Sequence, residues 1–408
     1  MVHDKMVHDL ALQRSKYKHL TDDEWRWFLQ QVEGRERTAD KLPAFAAMED
    51  WWYPVRLSCE QCSSEITARY KAELVESQKS KVESRFVDLT GGYGVDTFFL
   101  SEAFAHTDYV EQDAELCRIA EHNFKQPTQT LPKGKEIRVH CCTAEEFLSS
   151  LSGEVGRGYD LIFLDPARRD SHGGKVFRLE DCTPNVTELL PTLFAHLSPE
   201  GRILLKLSPM IDLTQAVREL SAFSIQWSVY VVAVKNEVKE VLLLSHQPSV
   251  ISHQTITAID LDKKEQVFVF TREEESNSEA VQQCNGLTSI SVSGLYLYEP
   301  NAAILKAGAY KLVAQRFGLQ KLDANTHLYV SDALVLDFPG RAWKINQILN
   351  GKISEKMVHG QMVNVLCRNY PLTPDQLKKK LHLRDGGTGF VIGCRVAGKP
   401  TLFFAERV

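Results

Sequence analysis

No window of the 408-residue chain holds the roughly 18 apolar residues in succession that a membrane-crossing helix needs, so a membrane protein is not expected. Charge of one sign is lacking too. The 48 Lys+Arg against 53 Asp+Glu leave −5, and no global field draws the chain onto a polyanion. A nucleic-acid partner must then be held by local patches. Cysteine is sparse: nine, an odd number scattered along the chain, suit reduced thiols in a cytoplasm better than a disulfide framework. Cys59-Glu-Gln-Cys62 has the spacing of half a zinc site, and Cys141-Cys142 adds sulfur. No second Cys-x-x-Cys or suitably spaced His completes the set, so no metal is expected. A secretory leader is not expected, because Met1 to Leu10 is polar and charged. Internal repeats and low-complexity tracts are absent as well. What remains, 43% hydrophobic and 25% charged, is ordinary for soluble globular protein. Its length allows two to four domains.

What is there centres on Phe86-Val-Asp-Leu-Thr-Gly-Gly-Tyr-Gly-Val-Asp96. Phe86–Leu89 forms a short buried strand, Thr90–Gly94 a tight turn, and Val95–Ala105 a helix with apolar residues at helical spacing. Strand, glycine turn and helix open a doubly wound α/β domain, and glycine lets backbone approach a ligand over the strand ends. An ordinary tight turn is the plainer alternative.

Before this stretch, residues 1–80 are mainly helical. Thr21-Asp22-Asp23-Glu24 is a capping box, and Cys62-Ser-Ser-Glu65 opens a helix through Tyr70 to about Ser77. Trp25, Trp27, Trp51 and Trp52 either pack a small core or stack nucleobases. After the glycine turn, strands are expected at 108–111, 137–141, 159–164 and 202–207, with helices at 114–124, from 145 and at 185–196. Gln126–Gly134 is a loop. Trp227–Val234 and Val238–Leu244 form a hairpin across Lys235-Asn-Glu237. Beyond residue 250 come a second hairpin (255–261 and 266–270), an exposed polar loop at 271–279 and a helix from Pro300 through Lys311 and Phe317. Extended chain follows at 328–336, then helices at 341–349 and 374–381 flanking a strand at 362–368. Strands at 389–395 and 400–404 close a compact α+β module.

Three features fall at the carboxyl ends of successive strands, where open α/β sheets bind ligands. They are the glycine turn, Glu111 (20 residues past Gly91, placed to accept ribose hydroxyls) and Asp165-Pro-Ala-Arg168. Here the chain resembles the class I S-adenosylmethionine-dependent methyltransferases. Asp88–Gly94 is similar to their first motif, Val110–Asp113 to their second-strand acid, Thr143–Phe147 to their adenine-lining segment and Asp160–Arg168 to their catalytic motif. The closest resemblance is to a bacterial group with a ferredoxin-like segment and a THUMP-like C-terminal domain. That group's patterns are also similar to Lys206-Leu-Ser-Pro-Met210, Lys235–Glu240 and Asp385-Gly-Gly387.

The resemblance implies a Rossmann-like seven-stranded sheet with an N-terminal helical region and a C-terminal α+β module. It divides the chain into a helical region (1–80), a methyltransferase domain (81–250), a ferredoxin-like segment (251–330) and a THUMP-like domain (331–408). S-adenosylmethionine is then the cofactor, held by Asp88, Thr90, Gly91, Gly92, Gly94, Glu111, Gln112, Thr143, Ala144 and Asp165, with Asp165, Pro166 and Arg168 catalytic. Two departures stand out. Thr143 replaces the usual Asp, so the Ala144 backbone and the Thr143 hydroxyl are left to read adenine. Ala167-Arg168 replaces the Pro-aromatic pair of amine-methylating enzymes, so the platform for a flipped base is gone and Arg168 must stack or bind phosphate. Lys206-Leu-Ser-Pro209 holds no cysteine, which argues against covalent catalysis.

RNA (tRNA or rRNA) is the expected acceptor, through the THUMP resemblance and a basic cluster of Lys378, Lys379, Lys380, His382 and Arg384, with Arg341, Lys344, Lys352 and Lys356 nearby in sequence. A solvated helix face is the plainer account of that run. Two rivals remain: a nicotinamide-dependent oxidoreductase, against which Thr97 stands where the third glycine belongs, and a non-catalytic RNA-binding protein with a retained cofactor fold.

Overall fold

Capping decides where the two longer N-terminal helices begin. The computed structural model describes residue 10 and residues 13–75, 83–125, 137–151, 158–168, 178–223, 225–246, 254–278, 294–349 and 358–408. Thr21 and Glu24 form the expected capping box of α1 (Asp22–Thr38). Short helices α2 (Pro43–Ala46) and α3 (Arg56–Gln61) follow, and the Ser64 hydroxyl accepts from Thr67 N–H to open α4 (Glu65–Leu74). Trp25 and Trp51 are buried. Trp51 packs with Leu42, Phe45 and Tyr53 against Phe98 and Phe99. Trp52 stacks on His122, ring centroids 3.6 Å apart, and Arg118 lies over both Trp27 and Trp52. The packing alternative for the four tryptophans is the one observed.

Next come β1 (Arg85–Asp88), α5 (Val95–Ser101), β2 (His106–Glu111), α6 (Ala114–Phe124), β3 (Ile137–Cys141), α7 (Ala144–Ser150) and β4 (Tyr159–Leu164). A two-residue ladder of β5 (Ala167–Arg168) and β6 (Cys182–Thr183) precedes α8 (Val186–Ala195), β7 (Leu197–Leu207) and α9 (Leu213–Ser221). Then β8 (Gln226–Val234) and β9 (Glu237–His246) follow. Contacts divide the chain into Met1–Trp227 with Val241–Ser252, and Ser228–Glu240 with His253–Val408.

In the first unit the strands run β3–β2–β1–β4–β7, all parallel, with Val241–Leu244 antiparallel to β7. Strand order reverses between β1 and β4, and ligands of open α/β sheets bind at such a switch point. Phe86, Val87, Leu161, Ile162 and Phe163 are almost fully buried there. Truncating one of the phenylalanines to Ala should cost about 3–5 kcal/mol, so the platform under the site is rigid.

In the second unit, β8 runs parallel to β10 (Thr255–Leu261), which pairs antiparallel with β11 (Gln266–Thr271) as the expected hairpin. After α10 (Arg272–Asn277) come β12 (Tyr296–Pro300), α11 (Ala302–Ala307), α12 (Tyr310–Phe317), β13 (Gln320–Asp323), β14 (Thr326–Ser331), β15 (Gly340–Ile348), β16 (Asn364–Arg368), α13 (Pro374–Leu381), β17 (Gly389–Val396) and β18 (Lys399–Arg407). Seven of these strands form a sheet ordered β13–β14–β12–β15–β18–β17–β16.

Three expectations are corrected here. The helix at 341–349 is strand β15, paired on both edges by β12 and β18, with Trp343 and Ile345 buried on one face and Lys344 outside. The polar run from Thr271 is not a loop: Thr271 and Glu274 form a capping box that starts α10. The helix from Pro300 is two helices. Asn301 caps α11, and Gly308 at φ +85° ends it before α12 begins. The expected loop at 126–134, and Ser77, Lys352 and Lys356, lie outside the described residues.

Candidate active site

The turn after β1 is tied down on both sides. Leu89 N–H donates to the Phe163 carbonyl on β4 (3.0 Å), and Gly91 N–H to the Val110 carbonyl on β2 (2.8 Å). A Cβ on Gly91 would stand 2.1 Å from the Tyr109 ring, so only glycine lets the turn close over that side chain. Gly94 starts α5 at φ +81°, a left-handed conformation that glycine adopts without strain. Asp88 is buried and accepts from Thr90 N–H (2.9 Å) and the Thr97 hydroxyl (2.6 Å). Thr97, which spoils a dinucleotide fingerprint, is thus a partner of Asp88. Burial pushes the Asp88 carboxyl up to about 7, against the downward pull of those two hydrogen bonds.

Glu111 closes β2. Its carboxylate accepts from Gly92 N–H (2.8 Å) and Asp113 N–H (2.9 Å), which fixes its orientation and leaves lone pairs for two hydroxyls. Gln112 is exposed beside it. At α7 the Thr143 hydroxyl accepts from Glu146 N–H (3.1 Å) while Glu146 accepts from Thr143 N–H (2.9 Å). That hydroxyl is already a helix cap, and the free donor next to it is the Ala144 N–H in the first turn.

Asp165 follows β4, and its N–H donates to the Thr90 hydroxyl (2.6 Å), coupling the two loops. Its carboxylate is ion-paired with the ammonium of Lys206 from the end of β7. Lys206 Nζ also lies 3.4 Å from Asp96 Oδ2, and Asp96 is held by Lys71 Nζ (3.1 Å) and the Ser63 hydroxyl (2.7 Å). Burial alone would raise the Asp96 carboxyl; Lys71 and Lys206 outweigh it and hold the group below its ordinary value. Sequence reasoning missed Lys71, Asp96 and Lys206 as site residues. The signal was a lone Lys in the apolar run Ile203-Leu-Leu-Lys-Leu207, and a lone Asp in a helix whose every residue is buried. Pro166 is half-buried. Arg168 takes part in the β5–β6 ladder through its backbone, and its side chain lies outside those described.

All ten expected cofactor residues line one cavity of about 730 Å³, together with Pro166, Lys206 and, from the N-terminal helices, Ser58, Gln61 and Cys62. Glu111 and Asp165 therefore face a common crevice. The volume lies within the roughly 300–1,000 Å³ of pockets that bury small ligands. A glycine-lined floor, a carboxylate with free lone pairs and an orphan helix N–H fit a nucleoside cofactor.

A family model for a ferredoxin-like domain matches residues 296–339, and one described as THUMP domain-like matches residues 340–407. The crystal structure of a putative methyltransferase from Porphyromonas gingivalis W83 is 32% identical, with TM-score 0.80 over 95% of this chain and 92% of that one. The chain belongs to the bacterial class I S-adenosylmethionine-dependent methyltransferase group with a ferredoxin-like segment and a THUMP-like domain. Partial likenesses include the O-methyltransferase from Bacillus cereus in complex with SAH (13% identity, TM-score 0.35, 46% of this chain and 83% of that one). Human methyltransferase-like protein 13 in complex with SAH is another (19%, 0.35, 46% and 85%). No curated protein sequence matches the chain.

In this methyltransferase-family chain Cys59 and Cys62, of which Cys62 lines the cavity, are separate thiols. Cys59 is buried and pushed up to about 12, mainly by burial, and the Cys62 thiol donates to the Cys59 carbonyl (3.2 Å). Among the described residues no cluster of His, Cys, Asp and Glu suits a metal ion.

Proposed function

We propose that this chain is an S-adenosylmethionine-dependent methyltransferase of the cytoplasm whose acceptor is a base of tRNA or rRNA. The observation that carries the reading is the single crevice shared by the glycine turn, Glu111 and Asp165. Bound S-adenosylmethionine would supply a methyl group on a sulfonium, open to in-line displacement. Glu111 accepts the ribose hydroxyls. Ala144 N–H reads the adenine edge, and the Thr143 hydroxyl keeps its proton for the same purpose. The turn from Asp88 to Gly94, with Gln112, encloses the rest of the nucleoside. At the acceptor end, Asp165 and the Pro166 carbonyl accept an N–H of the base and raise its nucleophilicity, while Arg168 stacks on the base or holds a phosphate. Most of the acceleration comes from holding nucleophile and methyl in line. The THUMP-like match over residues 340–407 and the basic cluster of Lys379, Lys380, His382 and Arg384 support RNA.

Labelled-methyl transfer into total RNA and total protein tests this. Label is expected in RNA, and Asp165→Ala should lower the rate about 100-fold with cofactor affinity changed only a few-fold. Label in protein alone overturns the acceptor. Calorimetry in which NAD binds and S-adenosylmethionine does not overturns the enzyme class.

A further inference from the structure

Four charged side chains form a line from the interior of the first unit to its cavity: Lys71, Asp96, Lys206 and Asp165. Lys71 is fully buried, Asp96 and Lys206 are nearly so, and the Asp165 side chain is 38% exposed. Signs alternate along the line and sum to zero, as buried ions require. Asp165 is the member that opens to the cavity, and among the described residues Lys206 is the group bonded to its carboxylate. The neighbouring Asp88 carboxylate is turned to Thr90 and Thr97, and Cys62 is a thiol, so neither supplies a countercharge.

Resting on the methyltransferase reading above, we infer that Lys206 sets the charge class of the acceptor. By neutralising Asp165 it makes the site select an uncharged nucleophile, a nucleobase nitrogen or a hydroxyl, over a protonated amine such as a lysine side chain or a polyamine. A protonated amine entering the crevice loses its hydration, and an unpaired carboxylate could repay that loss; a carboxylate already paired with an ammonium does not.

The same pairing governs the cofactor. S-adenosylmethionine is a cation at sulfur and S-adenosylhomocysteine is not, so a neutralised Asp165 cannot favour one strongly over the other. Calorimetric titration of both into the full-length protein should give affinities within a few-fold. In Lys206→Met the ratio should move about tenfold towards S-adenosylmethionine, and Lys206→Arg should restore it. A structural role alone would weaken both ligands together and leave the ratio in place.

An unchanged ratio in a Lys206→Met protein that still binds cofactor overturns the inference and leaves the methyltransferase reading standing. A parent that binds neither ligand overturns both. If Lys206→Met does not fold, the parent decides: spermidine or a lysine peptide methylated as fast as RNA overturns the inference, and rejection of both with RNA methylated supports it.

Discussion

Asp88 is more valuable to the fold as an acid than as a carboxylate. Its folded-state value of about 7 stands above the ordinary 3.8, with burial the main cause. Between about pH 4 and 7 the folded chain therefore holds a proton that the unfolded chain has released. The residue's contribution to stability falls as pH rises through that window and is flat above it. Asp88→Asn removes the titration and keeps an acceptor for Thr97. The variant's unfolding free energy, relative to the parent, should rise in its favour by up to about 4 kcal/mol between pH 4 and 7.5. Urea denaturation at those two pH values measures it. A parent–variant difference independent of pH would show that Asp88 ionises freely in the folded state.

At the scale of elements, α7 separates capping from recognition. Thr143 spends its acceptor on Glu146 N–H, so Thr143→Ala should cost about 1 kcal/mol of stability. Its cofactor affinity should fall only a few-fold, because Ala144 N–H still reads adenine. A loss beyond about twentyfold with stability unchanged would make the hydroxyl, rather than the Ala144 N–H, the main adenine contact. The start of the α/β unit was legible because long apolar strands alternate there with amphipathic helices and because Gly91 and Gly94 mark a turn that no other residue fits. Glu111 and Asp165 were legible for the same reason: both end strands. The misread elements lie where local pattern and tertiary context diverge. Arg341-Ala-Trp-Lys-Ile345 has spacing that serves a helix or a strand, and pairing on both edges makes it a strand. Thr271–Asn277 lacks an apolar face, and a capping box alone begins its helix. Lys206 stayed hidden because its partners, Asp96 and Asp165, are 110 and 41 residues away along the chain.

For the whole molecule, the cavity belongs to the first unit and the basic cluster to the second, so cofactor and RNA binding should be separable by mutation. The cluster is less positive than its sequence suggests. Lys378 is paired with Asp385 at 2.7 Å, Arg341 with the buried Glu299, and Lys379, Lys380, His382 and Arg384 are the exposed members. Their place in and after the last turn of α13 also suits the helix dipole, which is reason enough for a basic run that binds nothing. Salt dependence distinguishes the two roles. Each phosphate contact contributes about 0.7–0.9 to the slope of log affinity against log salt. Replacing Lys378, Lys379 and Lys380 together by Ala should weaken RNA binding and reduce that slope by about 1.4 to 1.8, the share of two free lysines rather than three. S-adenosylmethionine affinity should stay within twofold of the parent. Filter binding of tRNA and rRNA fragments across a salt series reads the slope, and a slope equal to the parent's would leave α13 as an ordinary solvated helix.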